Sequence, residues 1–252
     1  MSTFGLLIAA LFLPLFPFSA VFNQIFQRLP NAWLRGLLLL AWPQAGLAII
    51  AQAGSRVPDW LLTWAIASAL FYAFRMLATR ELGIWTGFMA SSLWALLWLT
   101  VNGDTSALDR SLSALVFSVP LVLLAILTRS IESRVGAAYA GAPGGLAQIV
   151  PRLAAVVVAA ILAATATPLS AGFFIMLEAI VNITPAAPTL ACITLLTWFF
   201  WSWASARMLQ GLIAGPGEPD GTPDLSVAAM ALMLGVLAAL VFASLYWVGD
   251  LS

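Results

Sequence analysis

The chain has 252 residues, 63% of them hydrophobic and 8% charged, with a mean hydropathy of +1.04. Soluble domains carry roughly a quarter charged residues, so a water-exposed surface is excluded and the chain is read as an integral membrane protein. Arginine supplies all ten cations, with no lysine and no histidine. That excludes a Schiff-base lysine, a histidine general base, a histidine-ligated haem and a histidine metal site. Cys192 stands alone, so no internal disulfide or cysteine cage forms. Zero net charge offers no basic patch to nucleic acid.

A bilayer crossing needs about 20 apolar residues. Such stretches predict an all-α polytopic bundle of about nine helices, at 4–22, 35–53, 59–78, 83–102, 110–129, 149–167, 168–184, 188–210 and 226–248. The first lacks a basic leader and a cleavage site, so it is expected to stay as a span. The stretch 147–182 is too long for one straight span. It turns at Thr165-Ala166-Thr167-Pro168-Leu169-Ser170-Ala171-Gly172 into a tight hairpin, or it is one helix broken there. Leu13-Pro14-Leu15-Phe16-Pro17-Phe18 echoes 167–173 only faintly, and no internal repeat is read from it.

Counting arginines by loop gives Arg28, Arg35, Arg75, Arg80, Arg129, Arg134 and Arg152 on one side, and Arg56, Arg110 and Arg207 on the other. The positive-inside rule then puts the N-terminus outside and, with nine spans, the C-terminus inside. Trp60, Trp85, Trp98, Trp198 and Trp247 fall near span ends, where indole rings settle at the headgroups. The connections leave no room for a soluble domain.

Function in such a chain is sought among its intramembrane polar groups. Glu178 lies ten residues after Pro168, about 15 Å along a helix, which is mid-membrane if the chain turns at Pro168. A carboxyl there suits proton handling; the alternative is a hydrogen-bonded glue between helices, or a charge met by a partner subunit. Arg152 opens the preceding helix and either reaches inward or snorkels to the interface. Gln44 beside Pro43, Pro120, and Thr165 and Thr167 beside Pro168 mark kinks that serve packing or a water path. Arg75, Arg80 and Glu81, and Arg129, Glu132 and Arg134, read as interfacial charges. The acidic loop 218–224 reads as solvated rather than as a cation cage. Gly141-Ala142-Pro143-Gly144-Gly145 lacks the Lys-Ser/Thr of a phosphate loop. No catalytic constellation, cofactor site or metal site is expected.

Gly144-Gly145-Leu146-Ala147, then Pro151, then Pro168-Leu169-Ser170-Ala171-Gly172-Phe173, resembles the antiporter-like proton-channel subunits of respiratory complex I and their relatives in multisubunit Na⁺/H⁺ antiporters. Arg207-Met208-Leu209-Gln210 followed by Gly215-Pro216 is similar to a helix end of that family, and 127–134 stands where its members have a short charged loop. The resemblance covers about residues 111–250. It divides the chain into 1–110, about four unassigned membrane helices, and 111–252, about five antiporter-like helices. Family members have about fourteen helices in two inverted five-helix repeats, and their proton path uses membrane lysines, often a histidine, and a glutamate or lysine in the broken helix. Here Glu178 lies in the matching helix, two positions after the family's site.

The resemblance implies a bacterial inner-membrane subunit that assists proton translocation beside a larger antiporter-like partner, with or without a soluble module. Complex I-like machines, cation antiporters and inorganic-carbon uptake systems are the candidates. Glu178, Gln44, Arg152 and Thr167 are the candidate path residues, and Pro168 and Gly172 form the helix break. A stand-alone small-solute transporter built around Gln44 and Glu178, and a non-transporting scaffold, are the alternatives.

Overall fold

A computed structural model of the chain describes residues 3–53, 57–101, 106–141, 145–168, 170–217 and 221–249. Its helices are α1 (Thr3–Phe12), α2 (Ser19–Arg28), α3 (Ala32–Ala53), α4 (Asp59–Ala78), α5 (Leu82–Leu96), α6 (Ala107–Val135), α7 (Leu146–Ile149), α8 (Pro151–Ala164), α9 (Ala171–Ile183), α10 (Pro188–Ile213) and α11 (Val227–Gly249). A 3-10 turn, Leu97–Thr100, prolongs α5. Among the described residues the one strand-like feature is an isolated bridge between Glu81 and Tyr139. The expected all-α membrane bundle is therefore what forms. Six helical segments, α3, α4, α5 with its 3-10 turn, α6, α10 and α11, are long and apolar enough to cross a bilayer.

The stretch 151–183 is one broken crossing rather than a hairpin. The start of α7, which leads directly into α8, is tied to the chain just past the end of α10, through Gly145 N–H to Ala214 O at 3.1 Å. Four residues separate α9 from α10 and reach about 14 Å at most, whereas α10 is about 39 Å long. So α9 must end where α10 begins, at the opposite end from Arg152. Pro168 then lies near the middle of the bundle. The two halves together rise about 40 Å, enough for one crossing.

A second broken crossing was not predicted. The expected span at 4–22 is divided into α1 and α2 by residues 13–18. Pro14 and Pro17 cannot supply the ladder N–H groups there. The faint echo between 13–18 and 167–173 thus marks two Pro-containing breaks, and each broken crossing is followed by a long helix, α3 and α10. Among the described residues the bundle has eight crossings where about nine are expected, because 149–184 makes one crossing instead of two.

Broken helices free carbonyls, and in lipid each must find a donor within the protein. Tryptophans provide four of the donors. Trp42 Nε1 donates to Leu11 O at 3.2 Å, Trp98 Nε1 to Leu13 O at 3.1 Å and Trp64 Nε1 to Phe16 O at 2.7 Å. At the second break Trp198 Nε1 donates to Thr165 O at 3.0 Å. Ring placement at the interface is therefore a partial description. Trp60 is exposed, but Trp85 and Trp98 are fully buried, because α5 runs through the centre of the bundle with all but one of its residues covered. The side chain of Trp247 lies outside the described residues.

The core joins every crossing. Small residues let the helices approach closely: a Cβ on Gly46 would come within 3.0 Å of the Leu13 backbone N, and one on Gly211 within 2.6 Å of the Ala140 Cβ. Eight crossings return the chain to its starting side, so Thr3 and Gly249 lie at the same end. Arg28, Arg35, Arg75, Arg80, Arg129, Arg134 and Arg152 gather at the other end. Arg207, expected on the opposite side, joins them, because α10 runs back towards Arg152 once 151–183 is a single crossing. Arg110 stands at the end of the termini, and Arg56 lies outside the described residues.

Candidate functional site

The break between α8 and α9 is held by short-range bonds. Thr165 Oγ1 lies 2.6 Å from Ser205 Oγ on α10 and donates to Ile161 O at 2.6 Å. Thr167 Oγ1 donates to Leu162 O at 3.0 Å, and Ser170 Oγ to Thr167 O at 2.8 Å. Pro168 is exposed. Gly172 sits against Phe117 of α6, where an added Cβ would meet the ring at 3.3 Å. Leu169 lies outside the described residues.

An apolar cavity of about 280 Å³ opens beside this break, lined by Val116 and Pro120 of α6, Thr167, Ser170 and Gly172, and Leu237 of α11. Its two hydroxyls already donate to the break itself. No titratable side chain lines it.

The two positions that matter on α9 face opposite ways. Met176, two residues before Glu178 and so at the position to which the resemblance assigns an acidic group, points into the bundle and is 1% exposed. Glu178 is exposed on the outer face, beside the exposed Leu177 and Val181. Two residues turn a helix by about 200°, so an acidic group cannot move from one position to the other and keep its direction. Glu178 is also not at mid-depth. With the break in the centre it lies five residues, about 7.5 Å, from the end of α9.

The other candidates occupy separate places. Gln44 is paired with Ser111 of α6: its Nε2 donates to Ser111 O at 2.9 Å, and its Oε1 accepts from the Ser111 hydroxyl. Arg152 lies at the arginine-rich end, with Nη1 donating to Leu225 O at 3.3 Å. Among the described residues no hydrogen bond or ion pair joins any two of Glu178, Gln44, Arg152 and Thr167.

The buried polar groups form neutral clusters that the sequence reading missed. Ser19 Oγ lies 2.6 Å from Tyr72 Oη, Asn23 Nδ2 donates to Ser91 Oγ at 2.8 Å, and Trp201 Nε1 donates to Ser92 Oγ at 2.8 Å, which itself donates to Ala69 O at 2.7 Å. Among the described residues every buried polar side chain is a serine, threonine or asparagine, with buried tyrosine and tryptophan beside them, and none is charged. Asn23 Oδ1 and Trp85 Nε1 are buried without a protein partner. The adjacent serines at 91 and 92 were the available signal.

Asp224 was also missed as a structural group. Its carboxylate accepts from Arg152 N at 2.8 Å and Leu153 N at 3.1 Å, the second and third residues of α8, and from Leu225 N at 2.6 Å. It caps α8 from 71 residues away and holds the approach to α11 against it. Partial burial pulls its pKa up, but the three backbone N–H donors and the Arg152 charge outweigh this, and the carboxyl sits below its ordinary value. Asp224→Ala is expected to cost about 1–2 kcal/mol, read as a melting temperature lower by roughly 3–6 °C. Because the folded pKa is depressed, this contribution is full above the ordinary carboxylate range and lost as pH falls through the lowered value. The difference between wild type and variant should thus be constant from about pH 7 to 5 and vanish well below about pH 4. Glu218 and Asp220 of the same loop lie outside the described residues.

The crossings and the two breaks define a polytopic helical membrane protein. No protein-family model matches the sequence, and no curated protein matches it. Solved structures do. A chain of the Mrp complex from Dietzia sp. DQ12-45-1b superposes with a TM-score of 0.75 at 17% identity, covering 86% of this chain and 42% of that one. A chain of respiratory complex I from Thermus thermophilus gives 0.74 at 22%, covering 94% and 55%. A chain of the membrane-bound sulfane sulfur reductase, an archaeal respiratory membrane complex, gives 0.75 at 16%, covering 95% and 52%. The likeness reaches well beyond residues 111–250, and the chain spans about half the length of each.

Proposed function

We propose that this chain is a supporting membrane subunit of a multi-subunit, proton- or ion-translocating complex, and that a fuller antiporter-like partner carries the conduction. One observation carries this reading: the inward position on the broken helix is Met176 and the acidic residue points outward. A proton route through lipid needs a chain of titratable groups or ordered water. The buried polar groups here are neutral and mostly bonded to neighbouring backbone. The outer face of α9, with Leu177, Glu178 and Val181, is the face that meets the partner, because a carboxylate facing hydrocarbon alone is costly. The arginine-rich end faces inward and both termini outward, by the positive-inside rule.

Two measurements test this. Gentle-detergent affinity purification from the native membrane should bring down a larger antiporter-like chain; recovery of this protein alone and monodisperse would sink the subunit reading. Glu178→Gln in the assembled complex should leave proton-coupled activity within about twofold of wild type. Loss of proton translocation with assembly intact would overturn the supporting role and make Glu178 part of the path.

A further inference from the structure

A hollow of about 830 Å³ opens at the arginine-rich end, between the end of α4, the 79–81 link, Tyr139 and α10. Its walls carry Arg75, Arg80 and Arg207 against a single carboxylate, Glu81. None of the three guanidinium groups has a carboxylate within 4.0 Å among the described residues, where the ion pair present is Arg129–Glu132. Arg75 instead lies over the Phe88 ring, with its guanidinium carbon 4.4 Å from the centroid, and 5.8 Å from that of Phe71. Three like charges around one hollow repel unless an anion sits among them. The planar guanidinium fork matches phosphate oxygens better than any other side chain does.

Below the arginines the surface is apolar and uncovered. On α10, Trp203 lies one turn beneath Arg207 on the same face and is 50% exposed. On α4, Phe71 lies one turn beneath Arg75, and Phe74, 61% exposed, lies 6.0 Å from Phe200 of α10 between ring centroids. The seam between α4 and α10 therefore has a cationic top and an aromatic flank, the two halves of an amphiphile.

We propose that this hollow binds the phosphate of an anionic phospholipid headgroup through Arg75, Arg80 and Arg207, with the acyl chains lying along Phe74, Phe200 and Trp203. A free phosphate would use the arginines but not the aromatic flank. The site is independent of which partner conducts protons.

The test is native mass spectrometry of the purified full chain, delipidated in mild detergent and titrated with dioleoylphosphatidylglycerol or dioleoylphosphatidylcholine. The wild type should retain phosphatidylglycerol preferentially. Each arginine at such a surface contributes roughly fivefold in affinity, so Arg75→Gln/Arg80→Gln/Arg207→Gln should lose the preference by roughly a hundredfold. Arg80→Gln alone, on the exposed link, should keep the wild-type melting temperature and lose roughly fivefold, which separates lost binding from lost folding. Equal retention of both lipids by the wild type, or an unchanged preference in the triple variant, would overturn the proposal. So would displacement of phosphatidylglycerol by an equal concentration of inorganic phosphate, which would mark a free-anion site.

Discussion

Gly145→Ala should cost about 3 kcal/mol and lower the melting temperature of the detergent-purified protein by roughly 6–12 °C. Gly145 opens α7 with φ at +70°, a left-handed conformation that costs an L-residue about 1–2 kcal/mol. Its own surroundings add more. A Cβ there would stand 2.7 Å from Gly217 N and 2.9 Å from Gly215 O, both backbone atoms that cannot swing aside. This is where loop 214–217 crosses the start of α7, fastened by Gly145 N–H to Ala214 O and by Gly217 N–H to the Gln148 side chain at 2.9 Å. Gly136 is the control. It also has positive φ, +90°, but nothing lies within 4 Å of its Cβ position. Gly136→Ala should therefore show the conformational cost alone, about 1 kcal/mol, or roughly 2–4 °C. Equal losses at the two sites would show that the close approach of 145 to 215–217 carries no energy.

Trp98→Ala should be the more damaging of the core changes. Trp98 is fully buried, and its indole N–H serves Leu13 O in the first break. In a bilayer the usual transfer gain is small, because lipid tails are as apolar as the core. The loss is then the void and the carbonyl. A void on the order of 100 Å³ at about 24 cal/mol per Å³ costs about 2–3 kcal/mol, and a buried carbonyl left without a donor about 1–3 kcal/mol more. A melting temperature lower by roughly 10 °C or more follows. Trp98→Phe separates the parts: it fills most of the space but removes the donor, so it should cost about 1–3 kcal/mol. A Phe variant as stable as wild type would show that Leu13 O finds another donor.

That dependence of a broken helix on a distant tryptophan shows where sequence reading stopped. Hydropathy separates apolar from polar segments, but in a membrane protein the apolar ones face either lipid or protein. The α3, α5 and α10 segments read alike by hydropathy, yet α5 is 89% buried and the other two 33%. The polar residues carried the better signal. Thr86, Ser91 and Ser92 of α5 are all buried and bonded, as their place in a central helix requires. Pro14 and Pro17 were visible but lay within an apolar run that fitted one span. Asp224 looked like part of a solvated loop because its partners, Arg152 and Leu153, are far away in the chain.

The sequence alone determined the class of this protein: a polytopic helical bundle with ten arginines, ten carboxylates and no lysine or histidine to relay a proton. It also marked Pro168 and Gly172 as the place where a helix fails, because proline lacks a donor wherever it stands. Only the tertiary structure decided that the chain continues through that failure instead of turning back. From that direction follow the side on which Arg207 lies, the common end of both termini and the depth of Glu178. The same packing turned Met176 inward and Glu178 outward, since the rotation of a helix about its axis is set by what its neighbours accept. An apolar run surrounded by lipid carries no such information within itself.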